Sequence, residues 1–91
     1  MNEDLQFDRL RSFAVQVRFE FIINELDLAI TFCEIARTAT DESKALRNLS
    51  HARNASMTAR RFAGDDLTVP MHEEIHSRLQ RLESLLAELE P

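Results

Sequence analysis

The first 63 residues contain neither glycine nor proline, and the whole chain of 91 residues has one glycine and two prolines. Because these residue types mark tight turns and the ends of helices and strands, a fold built from many short strands is excluded. The single glycine also excludes a glycine-rich loop that binds phosphate. We therefore expect an all-α protein, and the length allows one domain with one hydrophobic core.

The remaining turn signals divide the chain into three helices, which we expect to form an antiparallel three-helix bundle with a long first helix. Within a single helical domain over residues 1–91, the predicted helices cover about residues 3–38, 41–63 and 71–90. Thr40 is the predicted N-cap of the second helix. Gly64 is expected to end that helix in a left-handed conformation, and Pro70 fits the first turn of the third helix.

Apolar residues recur at steps of three and four along the helices and predict which faces pack together. The third helix has one narrow seam, at Ile75, Leu79, Leu82, Leu86 and Leu89. The second helix has a face of mostly small residues, at Ala45, Leu49, Ala52, Ser56, Ala59 and Ala63. Such a face lets a neighbouring helix approach closely and suits large side chains opposite it.

The first helix supplies these large side chains on two seams. The first seam consists of Val15, Phe19, Ile22, Leu26, Ala29, Cys33 and Ala36. The second seam consists of Leu10, Ala14, Val17, Phe21, Leu28, Phe32 and Ile35. A helix that is apolar around so much of its circumference is usually buried by more than one partner. The first helix is more apolar than two short neighbours would cover, which points to a partner outside the bundle.

The first helix is also too long for its two neighbours. It would be roughly 54 Å long, against about 35 Å and about 30 Å for the others, so about ten residues would overhang the bundle. The overhang carries four large apolar side chains, those of Leu5, Phe7, Leu10 and Phe13. Since clustered exposed apolar side chains usually mark an interface, we expect them to contact a second copy, in a homodimer, or another helical protein.

One segment, His72-Glu73-Glu74-Ile75-His76, resembles the zinc-binding helix of the zincin metalloproteases. The resemblance would make His72 and His76 metal ligands, since histidines four apart share one helical face, and Glu73 a general base. It covers five of the 91 residues, and no histidine follows that could be a third ligand. We therefore expect no resident metal or other cofactor, and His72 and His76 are the candidate ligands if a metal binds.

The remaining histidine, His51, gives a second alternative. Histidine phosphotransfer domains are small helical bundles with one exposed histidine, and the chain resembles them in size and in the place of His51 on a helix. In that family a lysine and a glycine follow the histidine at the third and fourth positions, where this chain has Asn54 and Ala55. Phosphotransfer signalling stays open as an alternative function.

Charge and cysteine content limit the partners and the compartment. The net charge is −5, and no aromatic residues interleave the arginines of the second helix, so we expect no nucleic-acid binding. Charged residues interrupt every apolar run, so we expect no membrane span. The single cysteine, Cys33, cannot form an internal disulfide, and the N-terminus is acidic, which together favour a cytoplasmic location.

Together these features predict a small helical protein–protein interaction or oligomerisation module of unknown pathway, without enzymatic activity. The segment expected to meet the partner is the start of the first helix, with Phe7, Leu10 and Phe13 at its centre. The alternatives are a histidine phosphotransfer-type signalling domain and a metal-binding protein that uses the zincin-like segment.

Overall fold

The chain forms an antiparallel three-helix bundle with a long first helix, as its sequence predicts. The computed structural model describes residues 2–90, with side chains from residue 5 onwards. Over this range the helices are α1 (Asn2–Thr38), α2 (Glu42–Phe62) and α3 (Val69–Leu89), and there is no strand. Each helix begins and ends within two residues of its predicted position. None of the described helices carries an apolar stretch long enough to cross a lipid bilayer.

The starts of α2 and α3 are fixed by side chains that accept backbone hydrogen bonds. Asp41, and not the predicted Thr40, is the N-cap of α2, and its carboxylate accepts a hydrogen bond from the Ser43 N–H at 2.9 Å. Thr68 caps α3 by accepting from the Met71 N–H at 3.2 Å. The predicted place of Pro70 in the first turn of α3 is confirmed, because proline has no N–H that needs a partner there.

Gly64 does not adopt the predicted left-handed conformation, since no described glycine has a positive φ. The C-cap of α2 is Ala63, which is extended and donates its N–H to the Ala59 carbonyl at 3.1 Å. A methyl group on Gly64 would come within 2.9 Å of the Asp66 carboxylate, which pairs with Arg18 on α1. A side chain at this position would therefore require the Asp66 carboxylate to shift beside its ion pair, whereas the backbone conformation does not itself require glycine.

The core lies where the first seam of α1 meets the small-residue face of α2 and the seam of α3. Buried apolar side chains come from all three helices and from Leu67 in the second loop. The fully buried positions are Ile22, Leu26, Ala29, Cys33, Ala52, Ala59 and Leu82. Alanines on α2 let α1 approach closely, so large side chains of α1 and α3 fill the space between the helices.

The second seam of α1 is not covered by α2 or α3. Phe32 is half-buried, but the other members of this seam are exposed. At 100° per residue the two seams lie roughly 120° apart around α1. Because α2 and α3 both pack against the first seam, they reach only the edges of the second.

Ion pairs between helices reinforce this arrangement. Two of them join the basic α2 to the acidic α3, Arg53 with Glu90 at 3.1 Å and Arg60 with Glu83. On the other side of the bundle, Arg78 of α3 binds Asp27 of α1 at 2.9 Å. The side chains in these pairs are largely solvated, so each contributes about 0–1 kcal/mol, and the apolar core supplies most of the stability.

The close contact between α1 and α2 can be tested by enlarging a buried alanine. Ala52 is fully buried, and Ala52→Leu should lower the free energy of unfolding by about 1–3 kcal/mol because the core has no room for the larger side chain. The control is Ala87→Leu at an exposed position of α3, which should change stability by less than about 0.5 kcal/mol. Urea denaturation measures both, and equal stabilities would contradict the packing described.

Candidate protein-interaction surface

The four residues predicted to contact a partner are all exposed. Their exposed fractions lie between 59% and 69%, in the order Leu5, Phe7, Leu10 and Phe13. All described side chains before Val15 are exposed, so about three turns of α1 extend beyond the bundle. Arg11 lies over the ring of Phe7, with its guanidinium carbon 5.2 Å from the ring centre. Contact between this segment and a partner stays a prediction.

The exposed apolar surface continues far beyond this overhang. We call it the open face of α1. It consists of exposed residues at alternating steps of three and four, namely Phe7, Leu10, Ala14, Val17, Phe21, Asn24, Leu28, Thr31 and Ile35. This spacing is the heptad pattern of helices that pack along their length against another helix. The open face therefore has the spacing of a second packing seam on α1, and all of its residues are exposed in the single chain.

An open groove runs along the centre of this face. It has a volume of about 490 Å³ and is bordered by Phe13, Val17, Phe21, Arg18 and, from α2, Phe62. The rings of Phe21 and Phe62 meet edge to face with their centres 5.8 Å apart. Because Phe62 forms a wall beside α1, the groove has the shape and polarity that suit an apolar side chain of an incoming helix.

Arg18 joins the edge of the groove to the loop that follows α2. Its guanidinium donates a hydrogen bond to the carboxylate of Asp66, and the two groups form an ion pair. The hydrogen bond from Arg18 holds the pKa of Asp66 below its ordinary value, and the same bond raises the pKa of Arg18. The pair fixes the loop against α1 next to the open face.

The zincin-like segment lies at the start of α3, outside the open face. His72 is half-buried and His76 is exposed. Over the part of the chain that the structure describes, no group of three potential metal ligands comes together. The two histidines share a helical face as predicted, and metal binding by them stays untested.

His51 and Cys33 have different surroundings on the two sides of the α1–α2 contact. His51 is exposed, and its ring lies 5.2 Å from that of Phe32 at an angle of 31°.

Cys33 is fully buried in the core. Burial raises the pKa of its thiol, and the charges of Glu34 and Glu90 raise it further. The cysteine is therefore a packing residue and not an activated nucleophile.

Comparison of the chain with models of protein families, with curated proteins and with solved structures finds no match.

Sequence reasoning identified the overhang but missed the greater part of the open face. The sequence places Val17, Phe21, Leu28 and Ile35 on an apolar seam but does not assign them to the partner interface, and all four are exposed. Their signal is present in the sequence, because the heptad steps that begin at Phe7 continue without interruption to Ile35. The pattern alone does not say which of two apolar seams a short neighbouring helix will cover.

The ion pair beside the groove gives stability a defined pH dependence. Because the pKa of Asp66 is lowered on folding, its stabilising effect is complete above the unfolded pKa of about 3.9 and is lost as the pH falls through the lower folded value. Asp66→Asn should therefore be less stable than the wild type at neutral pH, with the difference shrinking below about pH 4.

Urea denaturation across this pH range measures the effect, with Asp65→Asn at the neighbouring exposed position as the matched control. A difference between wild type and Asp66→Asn that is as large at acid pH as at neutral pH would show that the ion pair does not stabilise the loop.

Proposed function

We propose that this chain is a small helical protein–protein interaction or oligomerisation module. Its partner is an amphipathic helix, from a second copy or from another helical protein, which packs along the open face of α1. The observation that carries this proposal is the heptad seam of exposed residues from Phe7 to Ile35, which is apolar except at Asn24 and Thr31. We assign the protein no enzymatic activity and no cofactor.

The size of the open face supports a binding role. Its large apolar side chains are those of Phe7, Leu10, Val17, Phe21, Leu28 and Ile35. A whole aromatic side chain has a surface of about 150–250 Å², and roughly half of each of these side chains is exposed. Together the six side chains therefore present on the order of 500 Å² of apolar surface to solvent. Phe13 and Phe62 add to this area at the groove. The largest apolar patch of a typical monomer is about 300–600 Å² and often functional, so this face is large for a chain of 91 residues.

The mechanism we propose is burial of apolar surface between helices. Side chains from every first and fourth position of an incoming heptad would pack between those of the open face. The overhang would extend the contact, with Phe7 and Leu10 on the seam and Phe13 beside it. The groove bordered by Phe13, Val17 and Phe62 would hold an apolar side chain of the partner.

We also propose a cytoplasmic location. The support is chemical: Cys33 is unpaired and fully buried, and a protein with a single free thiol in its core suits a reducing compartment.

Site-specific photo-crosslinking in the native cell tests the proposed surface. A photoreactive amino acid at Val17, at the centre of the open face, should give a discrete adduct whose captured peptide belongs to an amphipathic helix. The matched control carries the same group at Ser84, an exposed position of α3. Identical adducts from both positions would contradict the proposal.

A charged residue in the open face should then prevent binding. With the captured partner purified, Val17→Glu should weaken binding at least about tenfold, or about 1.4 kcal/mol, because the carboxylate would be buried against apolar side chains. Val17 is half exposed in the free protein, so the variant should fold with a stability close to that of the wild type. Unchanged affinity in a folded variant would show that the open face does not bind the partner.

The histidines distinguish this function from the alternatives. We expect the triple variant His51→Ala, His72→Ala and His76→Ala to bind the same partner with unchanged affinity, since these side chains lie outside the open face. Loss of the biological function in the triple variant, with folding and binding intact, would favour phosphotransfer or metal chemistry.

A further inference from the structure

We propose that the occupant of the open face is the open face of a second copy, in an antiparallel arrangement centred between Phe21 and Asn24. This inference rests on the proposed function and names the partner. Two copies of α1 would lie side by side in opposite directions, related by a two-fold axis, and each would bury the seam that α2 and α3 leave exposed.

The heptad spacing is complementary to itself in this register. When two heptad helices run antiparallel, the first position of one heptad faces the fourth position of a heptad on the other helix. The resulting layers pair Phe7 with Thr38, Leu10 with Ile35, Ala14 with Thr31, Val17 with Leu28, and Phe21 with Asn24 of the second copy. Every seam position from residue 7 to residue 38 obtains a partner, and all of these residues are exposed in the single chain.

Asn24, one of the two polar residues of the open face, favours this register. Asn24 lies in one of the two central layers, so its amide lies next to that of Asn24 of the second copy across the two-fold axis. Two amides can donate to and accept from each other. If the copies shift by one heptad in one direction, Asn24 faces Leu28 of the second copy, and Phe7 and Leu10 lose their partners. If they shift in the other direction, Asn24 faces Ala14 of the second copy and the two amides move far apart. A polar group without a partner in an apolar seam is unfavourable, which disfavours the shifted register.

The charges beside the seam favour the antiparallel direction. Arg18 and Glu25 flank the open face on the side of α2, and Glu20 and Asp27 flank it on the side of α3. In an antiparallel pair, the flank beside α2 of one copy lies next to the same flank of the other copy. Arg18, which also pairs with Asp66, then lies beside Glu25 of the second copy, and this contact occurs twice in the dimer. Glu20 meets Asp27 of the second copy, whose charge is already paired with Arg78 at 2.9 Å.

A parallel pair would bring opposite flanks together instead. Glu20 would then lie beside Glu25 of the second copy, twice in each dimer. Neither of these carboxylates has an ion-pair partner among the described residues, and like charges at such flanking positions oppose pairing.

The buried area is sufficient for a stable dimer. The open face presents on the order of 500 Å² of apolar surface in each copy, so two copies would bury about 1,000 Å² from these side chains alone. The flanking residues, together with Leu5 and Phe13 of the overhang, add to that area. A specific interface should exceed about 1,000 Å² in total, which this arrangement does.

Disulfide trapping of the folded full-length chain tests partner, direction and register together. We would mix the single variants Val17→Cys and Leu28→Cys under mild oxidation, with Phe21→Cys as the third variant. The native Cys33 is fully buried and is present in all three. The mixture of Val17→Cys and Leu28→Cys should form the mixed disulfide at least about tenfold more than either self-disulfide, because only that pair brings the two Cβ atoms close.

The other outcomes overturn the inference in identifiable ways. Self-disulfides of Val17→Cys would show a parallel dimer, and a dominant mixed disulfide of Val17→Cys with Phe21→Cys would show the register shifted by one heptad. A monomer in sedimentation velocity from about 1 to 100 µM, without any disulfide, would exclude a second copy as the occupant. In that case a photo-adduct at Val17 with a different helical protein would still support the proposed function, so the two ideas fail separately.

Discussion

The close packing of the first seam of α1 onto the alanine-rich face of α2 is the contact on which the rest of the structure depends. Ala52 and Ala59 have no side-chain atoms beyond Cβ, so α2 approaches α1 closely and large residues such as Ile22 and Leu26 become fully buried. The seam of α3 then closes the same core from the other side through Leu82. Because both short helices pack against one seam, the position of every other apolar residue of α1 follows from this contact.

One consequence is that α1 has more apolar surface than its own bundle can bury. It is 37 residues long, against 21 for each of the other helices, and it carries a second seam on a different side. A second seam with no neighbour is costly for an isolated chain, since apolar surface in water opposes solubility. The exposed apolar residues of α1 recur at regular steps of three and four. Such regular spacing is expected of a surface that binds a helix, and not of apolar residues scattered over a surface.

Much of the fold follows from the sequence, because the strong signals in this chain are local. The bounds of the three helices were predictable because Gly64 and Pro70 mark the longer of the two loops between the described helices. In addition, α1 contains no glycine or proline that would end it early. The conformation of Gly64 was not predictable, since it depends on Asp66 and Arg18, which are brought together only by folding.

The candidate site was predictable only in part, for the same physical reason. Exposure of the overhang follows from helix length alone, and Leu5 to Phe13 were identified on that basis. Exposure of Val17, Phe21 and Leu28 depends on which side of α1 the short helices occupy, and the apolar pattern is equally strong on both seams. The side that α2 and α3 occupy is settled by packing between the helices, which the pattern of one helix does not contain.

Cys33 has a consequence for how this bundle can be studied and how it behaves. The only thiol of the chain is fully buried at the contact of the first seam, and burial keeps it in the neutral form. A reagent that modifies thiols can therefore reach it only while the helices are apart. The rate at which Cys33 is modified therefore measures how often the core opens under native conditions.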